Sequence, residues 1–237
     1  MTIRAALSEG AALLHQGGID EPRLVAEVLL AHALDLDRAR LYARMDQPLG
    51  QEALRRWQEV LARALQHEPV AYITGHREFY GLDLYVDGNV LIPRPETETL
   101  VEEALAWSRA FVARAGSPPT IVDVGTGSGA IAVSLAVHLP GTTVYAVDIS
   151  ADALRVAKRN AHQHGVTDQV VFLHGDLLAP LVHHVDLICA NLPYLTEEEM
   201  RRLPPHIAKH EPGEALAAGI DGLDVYRALL AQPHAKL

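Results

Sequence analysis

Asp123-Val124-Gly125-Thr126-Gly127-Ser128-Gly129-Ala130 places three glycines in five positions, where an apolar run gives way to a helical pattern. Glycines there let the backbone turn sharply and bring the N–H groups of a helix start close to a ligand. Gly125, Thr126, Gly127, Ser128 and Gly129 are therefore candidate cofactor contacts. The run also satisfies GxGxxA, the dinucleotide pattern, and a tight strand-to-helix turn needs no ligand at all. Asp123 argues between cofactors. A carboxylate beside a pyrophosphate is repelled, whereas it suits the cationic amino and sulfonium groups of S-adenosylmethionine. Asp148 closes Val144-Tyr145-Ala146-Val147-Asp148 and can accept hydrogen bonds from both ribose hydroxyls of a nucleoside. Helix capping is the competing role, and Ser150 is the better cap. Asp176, in His174-Gly175-Asp176-Leu177, can accept from the exocyclic amine of an adenine, although a plain loop aspartate fits it nearly as well.

Asn191-Leu192-Pro193-Tyr194 ends a further apolar run and suits methylation of a planar nitrogen. The lone pair of an amide or aromatic amine is delocalised, which makes it a poor nucleophile. The Asn191 side-chain oxygen and the Leu192 carbonyl can both accept hydrogen bonds from such an NH2 group. They would hold its lone pair toward a sulfonium methyl and stabilise the positive charge that develops on nitrogen. Pro193 stiffens the turn, and Tyr194 offers a flat face to a planar group. Alone, the tetrapeptide reads first as a simple strand-to-loop turn; beside the glycine run and the aspartates, the chemical reading is favoured.

These groups need elements to carry them. From residue 120 the pattern alternates: strands at 120–124, 143–147, 170–173 and 185–190, with helices at 130–138 and 151–164. Such alternation predicts a parallel sheet in an α/β, Rossmann-like domain. The carboxyl ends of its strands would carry Gly125, Asp148, Asp176 and Asn191 into one groove. Upstream, apolar residues at helical spacing predict helices near 3–15, from Pro22 along a face of Leu24, Val25, Val28, Leu29 and Ala33, and over 51–66. Together they make a small bundle. Arg77–Tyr80 and Leu82–Val86 read as a hairpin joined at Gly81. The expected organisation is a helical domain at 1–72, a linker hairpin at 73–90 and a catalytic domain at 91–237.

Composition narrows the function classes. A net charge of −10 argues against a broad nucleic-acid groove, which needs clustered Lys and Arg. No run approaches the ~20 apolar residues of a membrane span, and no signal peptide opens the chain, so a cytoplasmic protein is expected. Cys189 is the sole cysteine; in an apolar run it reads as a buried, inert thiol. His206 and His210, spaced i, i+4, read as a surface pair rather than metal ligands, and no metal site is expected.

The catalytic half resembles the (D/N)PPY amino-methyltransferases, and the whole chain resembles the HemK/PrmC family. The likeness is carried by the helical N-terminal region, Thr74-Gly75-His76-Arg77-Glu78-Phe79-Tyr80-Gly81-Leu82, Leu91-Ile92-Pro93-Arg94-Pro95-Glu96-Thr97-Glu98, Asp123–Ala130 and Asn191–Tyr194. It implies a class I methyltransferase sheet and the use of S-adenosylmethionine. The implied acceptor is the side-chain amide of the glutamine in the Gly-Gly-Gln motif of peptide-chain release factors, with the helical domain as the docking element. Cofactor contacts are implied for Gly125 to Gly129, Asp148, Asp176, Leu177 and Asn191. Substrate contacts are implied for Asn191, Leu192, Pro193 and Tyr194. Leu192 stands where the family usually has a second proline, and Leu177 where relatives often place an aromatic ring. Relatives also continue with further strands, whereas this chain stops near the expected fifth strand. A truncated sequence is therefore expected, with an exposed fourth-strand edge and full activity in a longer parent. An adenine-N6 methyltransferase, an NAD-dependent dehydrogenase and a non-catalytic binding module are the competing readings.

Overall fold

Thr2 starts the first helix by accepting a hydrogen bond from Ala5 N at 3.2 Å in a computed structural model that describes residues 1–232, and of Pro205 and His206 the backbone alone. The helices α1 (Ile3–Gln16), α2 (Pro22–Ala33), α3 (Arg38–Ala43), α4 (Gln51–Ala64) and α5 (Val70–Thr74) follow in order. They bury Leu7, Leu14, Leu29, Leu30, Leu41, Trp57 and Leu61 in one core. Gly10 matters in it, because a Cβ there would lie 2.2 Å from the Trp57 ring. The buried face of α2 is rotated from the expected one: Leu24 is exposed, whereas Glu27 is buried. Arg23, Arg38 and Tyr42 all bond its carboxylate. Burial opposes its ionisation, but these partners hold it below the usual carboxylate range, so the charge survives inside the bundle.

The strands β1 (His76–Phe79) and β2 (Leu82–Tyr85) form an antiparallel hairpin. A short 3-10 turn, Pro95–Thr97, opens α6 (Glu98–Ala115). Then come β3 (Thr120–Val124), α7 (Ala130–His138), β4 (Thr143–Asp148), α8 (Ala151–Gln163), β5 (Val170–His174) and β6 (Leu187–Ala190). The four strands β3 to β6 make one parallel sheet in the order β5-β4-β3-β6, as the alternating pattern requires. Period-two alternation divides β3 between two cores. Ile121 joins the core that includes α6 and α7, whereas Val122 and Val124 join the one with Leu178, Leu181 and Val185. Helix α7 is apolar all round and buried nearly all round, as a helix enclosed by neighbours must be.

β6 begins two residues later than expected. Asp186 is occupied instead in a reciprocal contact with Thr120, donating its N–H at 2.7 Å and accepting at Oδ2 at 2.8 Å. Among the described residues β6 is an outer strand of the sheet. Helices α9 (Glu197–Arg201), α10 (Pro205–His210) and α11 (Asp224–Ala231) complete the described chain, and Leu229 of α11 packs into the second core. The final stretch, where a fifth strand was expected to approach, lies outside the described residues from 233 on.

Two units result. The helical one comprises Met1–Gly75 and Pro205–His210; the α/β one comprises His76–Pro204 and the chain from Glu211. Within the first, His210 Nε2 sits 3.2 Å from the Gln66 carbonyl. The side chain of His206 lies outside the described residues. Within the second, the hairpin is fastened rather than left as a linker: Gln163 Nε2 and His164 Nε2 reach the Asp83 carbonyl at 2.6 and 2.9 Å. Among the described residues no helix is long and apolar enough to cross a membrane.

Candidate active site

Register places the candidate residues at one sheet edge. Val124 pairs with Val147 on one side and Ala190 on the other, so Gly125, Asp148 and Asn191 emerge from three adjacent strands. The glycine turn is tied to its neighbour at once, since Gly125 N and Thr126 N both donate to the Val147 carbonyl at 2.9 Å. Gly127 N donates to Asp148 Oδ2 at 2.8 Å, and Ser150 N to Asp148 Oδ1 at 2.9 Å. Each carboxylate oxygen keeps a further lone pair. Ser150 caps α8 through Ala153 N at 3.1 Å, which leaves Asp148 its other role. Gly175 N donates to the Asp148 carbonyl at 3.0 Å, bringing the 174–177 loop alongside. There Asp176 is exposed, while Leu177 is buried with Val124, Val147 and Leu192. Leu177 takes a φ of +48°, an unfavourable conformation for a leucine and of a kind that clusters at functional sites.

Asp123 behaves differently from the expectation that it faces a cation directly. It is fully buried, and its Oδ2 accepts from Thr126 Oγ1 at 2.6 Å and from Ala132 N at 3.2 Å. That bond spends the Thr126 hydroxyl on bracing the loop from inside. The other oxygen, Oδ1, is buried without a partner. Burial pushes the Asp123 carboxyl up to about 7, with the charge of Asp148 adding to the effect and the two hydrogen bonds opposing it. Cys189, on the adjacent strand, is likewise buried. Burial first, then Asp123, pushes its thiol up to about 12, so it stays protonated and inert.

The Asn191–Tyr194 turn abuts the glycine loop. A Cβ on Gly125 would stand 2.9 Å from Leu192 Cδ2, and Gly125 has a φ of +72°. Both facts require glycine. Leu192, in place of the family's second proline, spends its side chain in the core. Asn191 donates from Nδ2 to Thr97 Oγ1 at 3.1 Å. Pro193 is half-buried and Tyr194 is 59% exposed. The chain after Tyr194 is held by Leu195, which donates to Leu216 O and accepts from Ala218 N, each at 2.9 Å.

Two residues of this assembly, Asn160 and Glu211, escaped the motif reading, while Arg94 stood in the Leu91–Glu98 segment with no partner assigned. Asn160, fully buried on α8, accepts from Tyr85 N at 2.8 Å and donates to Tyr85 O at 2.9 Å and Ser128 O at 2.8 Å. It joins hairpin and glycine loop. A signal existed, since Ala153, Leu154, Val156, Ala157, Asn160 and Ala161 share one buried helical face, and a lone amide among them must bond something. Arg94 Nη2 donates to both carboxylate oxygens of Glu211 at 2.7 and 2.9 Å; 117 residues apart, the pair leaves no local trace.

Residues 5–75 match the family model described as the PrmC N-terminal domain, and residues 108–207 the methyltransferase small domain. A release factor glutamine methyltransferase of Moorella thermoacetica is 46% identical over 231 residues, covering 97% of this chain and 80% of that protein. The protein of that name from Chlorobaculum tepidum is 43% identical, with coverage of 89% and 73%. The chain belongs to the release factor glutamine methyltransferase family. In that family's terms the four-stranded parallel sheet is a class I methyltransferase sheet, whose cofactor is S-adenosylmethionine. Among solved structures, a ribosomal protein L11 methylase from Lactobacillus delbrueckii subsp. bulgaricus covers 62% of this chain and 71% of its own at 28% identity, with a TM-score of 0.38. A likeness of that degree says nothing about the acceptor.

The site suits S-adenosylmethionine on one observation above the rest. A partnerless buried carboxylate oxygen, Asp123 Oδ1, stands behind a loop too tight at Gly125 for any side chain. When ionised, such a group favours a cation nearby, even without contact, over an anionic pyrophosphate.

Proposed function

We propose that this chain methylates the side-chain amide nitrogen of the glutamine in the Gly-Gly-Gln motif of peptide-chain release factors. The observation that carries the reading is the placement of Asn191: its amide nitrogen is engaged by Thr97, and the following residue lies directly against the glycine loop. Bound S-adenosylmethionine would supply an electrophilic methyl on a sulfonium.

The chain's residues do the rest. Gly125 to Gly129 cradle the cofactor. The spare lone pairs of Asp148 receive ribose hydroxyls, Asp176 receives the adenine amine, and Leu177 lies against the base. Asn191 Oδ1 and the Leu192 carbonyl accept the two N–H bonds of the substrate amide. This turns its lone pair outward and offsets the charge that grows on nitrogen. Pro193 keeps the two acceptors in register, and the exposed Tyr194 ring packs the flat amide. The helical unit docks the release factor, a protein far larger than a glutamine pocket can recognise. The net charge of −10 disfavours a nucleic-acid substrate, and the work belongs in the cytoplasm.

The test is transfer of labelled methyl to an intact release factor, with the modified residue located by peptide mass spectrometry. Label on the Gly-Gly-Gln glutamine, lost in Asn191→Ala, is the expected result. Absence of label, while S-adenosylmethionine binds, rejects the acceptor.

A further inference from the structure

Thr97 ends the 3-10 turn that opens α6 and has helical backbone angles, φ −70° and ψ −18°, rather than the extended geometry of a residue that makes a capping bond to the first turn. It makes no such bond. Its Oγ1 instead accepts from Asn191 Nδ2, 94 residues away, at 3.1 Å. The segment that carries it is held on three sides. Arg77 Nε donates to the Pro93 carbonyl at 3.1 Å, Arg94 is bound to Glu211, and Glu98 Oε1 accepts from Tyr80 N at 3.0 Å. Pro93 and Pro95 fix φ on either side of Arg94. The hydroxyl is thus a fixed point rather than a mobile one.

A primary amide has two unlike ends, an acceptor oxygen and a donor NH2. If the Asn191 side chain swung to another rotamer, Oδ1 would leave the substrate NH2, and the lone pair of the nucleophile would lose its guide. We infer that Thr97 is a positioning residue: by bonding the far end of the amide at Nδ2 it anchors the Asn191 side chain in the rotamer that presents Oδ1 to the substrate nitrogen. The inference rests on the reading of Asn191 given above and adds the source of its orientation. It also gives the Pro-Arg-Pro-Glu-Thr-Glu segment a chemical task beyond starting a helix.

The experiment compares Thr97→Val, which keeps the shape and removes the hydroxyl, with Thr97→Ser, which keeps the hydroxyl. Asn191→Ala runs beside them. Turnover on an intact release factor, KM for that factor, S-adenosylmethionine affinity by calorimetry and Tm are measured for each. The expected result is a kcat loss in Thr97→Val on the order of 10- to 100-fold, with KM, cofactor affinity and Tm near wild type. Thr97→Ser should recover most of the rate. Wild-type kcat in Thr97→Val, or equal loss in Val and Ser variants, overturns the positioning role; so does a loss confined to KM. The two readings separate cleanly. Full activity in Asn191→Ala defeats the site assignment itself, whereas a silent Asn191→Ala beside a normal Thr97→Val defeats only the inference about Thr97.

Discussion

Asp123 combines complete burial with a free oxygen, and the consequence is a pH dependence of definite sign. Its carboxyl is pushed from 3.8 up to about 7 in the folded protein. Between those values the folded state holds a proton that the unfolded chain has released. Its contribution to stability is therefore fully present below about pH 4 and lost as pH rises through about 7. Asp123→Asn removes that loss. Without cofactor, its Tm at pH 8 should exceed wild type by roughly 3–10 °C, and the gain should shrink toward pH 4. The cation of S-adenosylmethionine favours the ionised form. Wild-type affinity should accordingly climb between pH 6 and 8, while the asparagine variant should stay weak and flat by calorimetry. Cys189 gives a simpler readout. Its thiol, raised to about 12, should resist alkylation by iodoacetamide in the native protein and react fully once the chain is unfolded in denaturant.

At the scale of elements, α8 works as a clamp. Asn160 uses three of its four hydrogen-bonding positions to hold β2 and the Ser128 carbonyl together. Asn160→Ala should cost about 2–4 kcal/mol by leaving those backbone groups unpaired. It should also weaken S-adenosylmethionine binding beyond what a similarly destabilising Leu30→Ala produces in the helical unit, with denaturation and calorimetry as the two readouts. The same elements show what a sequence reveals. The strands β3, β4 and β5, and α7, were legible because apolar periodicity and a glycine-rich turn are local signals. Gly125, Asp148 and Asn191 could be put at strand ends for that reason. The short helices α3, α5 and α9 to α11 were not, since segments of five to eight residues are marginal alone and take their shape from packing. The face of α2 was misread because Glu27 is buried by partners that lie outside its own helix, at Arg38 and Tyr42. Thr97 and Asn191 were each visible in a motif, but a bond across 94 residues has no local sign.

Across the whole molecule, the catalytic unit is tied over 117 residues of chain by the ion pair of Arg94 with Glu211, whose carboxylate is 1% exposed. Arg94→Ala strands that charge and should destabilise the protein by about 3–5 kcal/mol in urea unfolding. Glu211→Gln, which leaves no buried charge, should cost less, and the double variant should recover part of the loss of Arg94→Ala. The pair lies where the chain re-enters the catalytic unit after α10, a helix that belongs to the other unit. The helical unit is therefore written in two separated passages of the sequence. Exchange of the helical unit between relatives is constrained by that division. A chimera cut once near residue 75 carries only part of the foreign unit and leaves the host's own 205–210 against a surface it was not matched to. The smallest self-consistent graft has two pieces, and a lineage that borrowed the first without the second would inherit a mismatch at His210 and Gln66.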